Sequence, residues 1–236
     1  GVFGYSVGMG LINVNPVRDL PNDIFKKIPI KHYVTITDPR EIAGLLNKLN
    51  QYHGSHEVNT ALKLAPHLML RPSELSGLLW SEIDFDEKLI RIGSDRMKMK
   101  RMHLVPLSKQ TFAIFQKLSK RYTVSAFVFP GARNNNKPIT PDSLRNAIRK
   151  LDIGKDKFTT HSFRSMASTR LNELNYKGDV IEMQLSHSPK DKIRSAYNHA
   201  EYLPERKKMM QDWSDYLDKL QNKTSVSPSE LQLNLF

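Results

Sequence analysis

The stretch HSFR at residues 161–164 sets an imidazole and a guanidinium three positions apart. Inside KFTTHSFRSMASTRLNEL, His161 precedes a predicted helix and Arg164 falls in its first turn. Both could point out of the helix N-terminus, where backbone N–H groups without intrahelical partners already favour an anion. A phosphate fits that description. A plain capped helix start fits it too, with His161 bonded to a carbonyl and Arg164 paired with a carboxylate, and the motif alone does not choose. His187 follows 26 positions later at the close of GDVIEMQLSHS, read as a short helix with Asp179 and Glu182 in capping-box spacing. Beyond it Tyr197 stands in KIRSAYNHAEY. A single tyrosine is ordinarily a half-buried packing residue, so it gains meaning only from its company.

Charge says what that company is for. Lys plus Arg number 36 against 24 Asp plus Glu, a formal net charge of +12, which points to nucleic acid or to an anionic membrane surface. The membrane is the poorer choice, because no apolar run approaches the roughly 20 residues that a spanning helix needs and no secretory signal opens the chain. With no cysteine there is no disulfide framework and no thiolate metal site, which suits a reducing cytoplasm. His53, His56 and His67 lie in or near predicted helices without the paired carboxylates of a hydrolytic metal site, so no metal is expected. The runs RMKMKR (96–101) and RKK (206–208) read as solvated charge, or as phosphate contacts if the protein works on DNA.

These residues need elements to hold them. NPVRDLPNDIFKKIPIKHY has three prolines and no period, as a linker does. TDPREIAGLLNKLNQY then offers a helix start at Thr37 or Asp38 with Ile42, Leu45, Leu46 and Leu49 at helical spacing. SHEVNTALKLAPHLML reads as a second helix and RPSELSGLLW as a short third one with Pro72 in its first turn. KLIRI and HLVPL flank GSDRMKMKRM, predicting a hairpin with a basic tip. SKQTFAIFQKLSKRY and PDSLRNAIRKL return to helix, separated by AFVFPGARNNNKPIT, a brief strand and a polar loop. From Phe158 onward the pattern is nearly all helical, ending in PERKKMMQDWSDYLDKL with Met210, Trp213, Leu217 and Leu220 on one face. QNKTSVSPSELQLNLF lacks a long period and reads as a mobile tail or a docking arm. The expected fold is mainly α with a small antiparallel sheet (α+β).

Taken in order, the constellation resembles the catalytic domain of the tyrosine recombinases, more narrowly the phage- or prophage-type integrases, from GVFGYSVGMG to about Leu220. That family's pattern is an arginine with a nearby acid, a hairpin lysine, His-x-x-Arg, a second histidine or tryptophan, and a tyrosine. Here it falls on Arg71 with Glu74, Lys98, His161 with Arg164, His187 and Tyr197. Lys100 is the alternative lysine; Lys98 lies eight residues before Pro106 of LVPL, where similar sequences carry theirs. The resemblance implies that residues 1–20 end a preceding core DNA-binding domain, 21–35 form a linker, 36–220 the catalytic domain and 221–236 a tail. A chain opening on Gly1 suits such a fragment.

The implied activity is site-specific recombination through a covalent 3′-phosphotyrosine, integrating or excising a mobile element. Tyr197 would be the nucleophile and His161 chiefly its base. Arg71 and Arg164 would hold non-bridging phosphate oxygens, which two guanidiniums can do bidentately while charge spreads in a pentacoordinate transition state. His187 would add a hydrogen bond, Lys98 would protonate the leaving 5′ oxygen, and Glu74 would orient Arg71 or the histidine. No cofactor and no metal is implied. The expected partners are double-stranded attachment-site DNA and further copies of the chain, as a tetramer, in the cytoplasm of a bacterium and encoded by it or by a phage. Two rivals use similar residues or the same charge: type IB topoisomerase-like relaxation, and a DNA-binding regulator without catalysis.

Overall fold

The computed structural model describes residues 1–18, 20–21, 35–97, 101–121, 124–153, 158–187 and 202–225, with side chains as far as Asn222. The chain divides into two units, Gly1–His32 and Tyr33–Phe236. Among its described residues the first carries one helix, α1 (Val2–Gly8), which buries none of its residues.

Helix α2 (Pro39–Asn50) begins where expected: the Asp38 carboxylate accepts from the Arg40 and Glu41 backbone N–H groups at 2.8 and 3.2 Å, and Pro39 occupies a position that needs no donor. Its buried face is Ile42, Ala43, Leu45, Leu46 and Leu49. Helix α3 (His56–Leu68), capped by Ser55, is the central element, touching α2, α4 (Pro72–Ser76), α5 (Lys109–Arg121), α6 (Pro141–Lys150), α7 (Ser162–Glu173) and α9 (Leu203–Ser225). Near its C-terminal end the carbonyl of Pro66 has no intrahelical donor, and the indole N–H of Trp213 on α9 donates to it at 2.9 Å. Trp213, Met210 and Leu217 are buried and Leu220 packs against the core, as the predicted stripe requires. Helix α9 runs on to Ser225, taking in the first five residues of the expected tail.

The predicted hairpin is β2 (Leu89–Ile92) with β3 (His103–Pro106), in register Ile92 to His103. A two-residue strand, β1 (Ile83–Asp84), extends it to a three-stranded antiparallel sheet of order β1-β2-β3. The expected polar loop after Phe129 is instead a second hairpin, β4 (Pro130–Gly131) with β5 (Asn134–Pro138). Asn134 to Lys137 are all exposed, so this strand has no buried face and no apolar alternation to betray it. The capping box expected at Asp179 and Glu182 is absent. Helix α8 (Gly178–Gln184) starts two residues earlier than that box requires, with Lys177 at the cap and no side-chain bond there, which puts Asp179 inside the first turn and frees Glu182 for another partner. Among the described residues no helix is long and apolar enough to cross a membrane.

Candidate active site

Two left-handed backbone positions shape the site. Met69, just after α3, has φ 55°, and Ser186, just after α8, has φ 50°. For residues with a Cβ this conformation costs roughly 1 kcal/mol or more, so each marks a place where packing dictates the backbone. Met69 turns the chain into Arg71, which sits in extended conformation at the start of α4. Ser186 turns it into His187.

Arg71 is fixed from both sides. Its backbone N–H donates to Glu74 Oε2 at 2.9 Å and its Nη1 to Glu74 Oε1 at 2.7 Å, while Nη2 reaches across to the Ser186 carbonyl at 3.0 Å. Glu74 is buried and Arg71 partly so. Arg164, in the first turn of α7, is buried too: it donates to the carbonyls of Met69 and Leu185, and its Nη2 meets His187 Nε2 at 3.3 Å. The two guanidiniums therefore converge on consecutive carbonyls, those of Leu185 and Ser186. The carboxylate pairing of a plain helix start does not hold for Arg164, because its protein partners among the described residues are carbonyls and an imidazole. Burial and the neighbouring Arg71 lower its pKa to about 10, still far above neutrality. Its Nε is buried with no hydrogen-bond partner among the described residues.

The histidines divide by surroundings. His187 is open to solvent; its Nδ1 lies 2.7 Å from Glu182 Oε2, so with Nδ1–H donating to the carboxylate, Nε2 is free to accept from Arg164. His161 caps α7 with its ring exposed, and its carbonyl accepts from the Arg164 backbone N–H at 3.1 Å. Partial burial, then Arg164, Arg71 and His187 in turn, all hold the His161 pKa below the ordinary histidine value. At neutral pH that ring is uncharged and able to accept a proton. His67 bonds Ser214 at 3.0 Å inside the helical core and belongs to the packing. Among the described residues no group of His, Asp and Glu is clustered to hold a metal ion.

Arg71, Glu74, His161, Arg164 and His187 thus occupy one site. Lys98, Lys100 and Tyr197 lie outside the described residues; the flanking positions are Met97, buried at the end of the hairpin's outgoing arm, and His187. In each of the two basic runs read as solvated charge or phosphate contacts, one arginine is neither. Arg96 of RMKMKR is bound to the buried carboxylate of Glu82. Arg206 of RKK is 1% exposed, leaving only Lys207 and Lys208 of that run at the surface. Sequence reasoning also missed His103, Gln184 and Arg206 as neighbours of the site: burial and the charges of Arg206, Arg164 and Arg71 push the His103 pKa well down. No spacing signal marks these three. A cavity of about 450 Å³ between α3 and α5 shares no residue with this cluster.

Residues 36–203 match the Phage integrase family. The chain is 36% identical over 220 residues to prophage integrase IntS of Escherichia coli (strain K12), and 35% identical over 220 residues to the integrase of Shigella phage Sf6. Each alignment covers 92% of this chain and 56% of the relative, so the chain spans about half the length of these curated relatives. Among solved structures, the Tn1549 transposon integrase in complex with transposon right end DNA superposes with a TM-score of 0.58 at 18% identity, over 86% of this chain and 75% of that one. With the family match covering most of the second unit, the chain belongs to the phage integrase family of tyrosine recombinases.

Proposed function

We propose that this chain is the strand-cleaving part of a site-specific recombinase that breaks and rejoins DNA through a covalent 3′-phosphotyrosine, integrating or excising a mobile element. The observation that carries the proposal is the convergence of Arg71 and Arg164 on the Leu185 and Ser186 carbonyls beside His187, with a neutral His161 at the same helix start. Two cations held at fixed positions, one with a buried donor that has no partner among the described residues, suit the non-bridging oxygens of a phosphodiester.

In this reading the Tyr197 phenol oxygen attacks the scissile phosphorus, and its proton passes to His161. A phenol of pKa near 10 needs such a base at neutral pH. Charge accumulating on the equatorial oxygens is met by Arg71 and Arg164, with His187 adding a hydrogen bond from Nε2 when that atom carries a proton. The P–O5′ bond breaks as Lys98 supplies a proton to the departing oxygen, with Lys100 the alternative. Attack by a 5′ hydroxyl of a partner duplex reverses every step, so the phosphodiester is restored without an external energy source. Glu74 acts by holding Arg71. Residues 36–220 form the catalytic domain and 1–20 the end of a preceding DNA-binding domain; exposed Val2, Phe3 and Tyr5 on α1 suit a helix with further partners. Attachment-site duplex DNA and a tetramer of the chain complete the proposal. The DNA-bound Tn1549 integrase offers a fold-level analogy for the DNA partner.

The test is covalent capture. Nicked duplexes drawn from a randomised pool are incubated with the chain and resolved under denaturing conditions. A DNA-linked band, with exchange between two captured duplexes, is expected. Supercoil relaxation without exchange would favour a topoisomerase, and binding without any adduct would favour a regulator; either would overturn the proposal.

A further inference from the structure

Arg206 is almost wholly buried, yet among the described residues it makes no ion pair. Its Nε and Nη2 both donate to Gln184 Oε1, at 3.1 and 2.8 Å, and Nη2 also donates to the Leu104 carbonyl. Burial lowers its pKa to about 10, so the group remains a cation, and its partners among the described residues are neutral. Gln184 is itself fully buried, and because its oxygen faces Arg206, its Nε2 has no partner among the described residues. A buried charge and a buried amide N–H that find no ion pair and no acceptor among the described residues are both costly, and an apolar cluster of the same volume would usually be more stable. Packing does not account for the arrangement.

Its connections do. Gln184 is the last residue of α8, immediately before the two carbonyls that receive Arg164 and Arg71 and three residues before His187. Leu104 lies on β3, the strand that returns from the hairpin carrying Lys98 and Lys100. Arg206 stands in the first turn of α9, nine residues after Tyr197. One planar guanidinium therefore ties together the three elements that lead to the arginine anchors, the lysine hairpin and the tyrosine. Its fixed fork of donors suits a joint of defined angle, which an ammonium or a hydrocarbon cannot supply.

We propose that Arg206 is a positioning residue for strand cleavage, setting the register of the α9 start, and so of the tyrosine's downstream anchor, against α8 and β3. This rests on the recombinase reading above. Arg206 touches no substrate in this role, so its loss acts on the rate of the chemical step rather than on DNA affinity.

The test compares wild type, Arg206→Met, Arg206→Lys and Gln184→Met on a nicked duplex captured by the wild-type chain. Affinity is read by titration and single-turnover cleavage by denaturing gel, both well below each variant's Tm. Expected are dissociation constants within about threefold of wild type and cleavage slowed at least tenfold in Arg206→Met. Arg206→Lys should be slowed as well, because one ammonium cannot hold both acceptors at the same angle. The Arg206→Met, Gln184→Met double variant should be no slower than the slower single one, since both remove one joint. Sulfur at the bridging 5′ position should not restore the Arg206→Met rate, because the leaving group is not what the residue serves. Should Arg206→Met fail to fold, Gln184→Met, which removes only the acceptor, decides the matter. Wild-type cleavage rates in the folded variants, with only Tm lowered, would overturn the positioning role alone. Failure of the wild-type chain to capture any duplex would instead overturn the recombinase reading.

Discussion

Replacing Glu74 by glutamine exchanges one carboxylate oxygen for an amide nitrogen, and the geometry makes that small change expensive. Both Glu74 oxygens are in use, one by the Arg71 backbone N–H at 2.9 Å and one by Arg71 Nη1 at 2.7 Å. The glutamine oxygen can serve only one of these donors, and the NH₂ group must then face the other. The loss is one hydrogen bond involving a charged group, about 1.5–3 kcal/mol, with a further cost for the donor left facing a donor at a site only 4% exposed on the carboxylate side. Arg71 keeps its bond to Ser186 and about a fifth of its side-chain exposure, which offsets part of this. A net destabilisation of about 2–4 kcal/mol is expected, a large share of a typical domain's total stability. Urea denaturation of the two proteins measures it directly. A difference below about 0.5 kcal/mol would refute the claim that both carboxylate oxygens anchor Arg71, given the size such bonds normally have.

Other expectations follow from the same structure. The His67 pKa is lowered to about 4 by burial, so between about pH 4 and 6.5 the unfolded chain binds a proton that the folded chain does not. Stability should therefore rise with pH across that window, by about 3 kcal/mol in all for this residue, and be complete above it. Melts at pH 5 and 7 should differ less in His67→Asn, and an unchanged difference would sink the assignment. His161, also held below the ordinary histidine value, should place the acid limb of the cleavage profile at a midpoint under pH 6.5; a midpoint above it would remove His161 as the base. Lys98→Ala should cleave ordinary DNA very slowly yet recover on a substrate with sulfur at the bridging 5′ position, because a thiolate leaves without a proton, while Arg164→Ala fails on both. Rescue of Lys100→Ala instead, with Lys98→Ala cleaving normally, would move the acid by two residues.

Much of this architecture is legible in the sequence because burial and local chemistry agree. Thr37-Asp38-Pro39 before Ile42, Leu45, Leu46 and Leu49 marks the start of α2 and its buried face together. The strand Asn134–Pro138 was not legible, since a strand with both faces in water writes no period. Arg71, Glu74, His161, Arg164 and His187 could be named from the family pattern, but not the means by which they are held. Arg164 rests on the Met69 and Leu185 carbonyls, and a carbonyl acceptor leaves no trace in residue type. For the same reason RKK looked like surface charge: only tertiary packing distinguishes buried Arg206 from exposed Lys207.

The claim on which all of this turns is that Tyr197 becomes joined to a 3′ phosphate. Digestion of the trapped protein–DNA adduct, followed by fragmentation of the linked peptide, locates the bond by mass. The account predicts a nucleotide attached through its 3′ phosphate to Tyr197, and no adduct at all from Tyr197→Phe, which still binds DNA. A linkage on any other residue, such as the nearby Tyr202, or an adduct that survives in Tyr197→Phe, would contradict it.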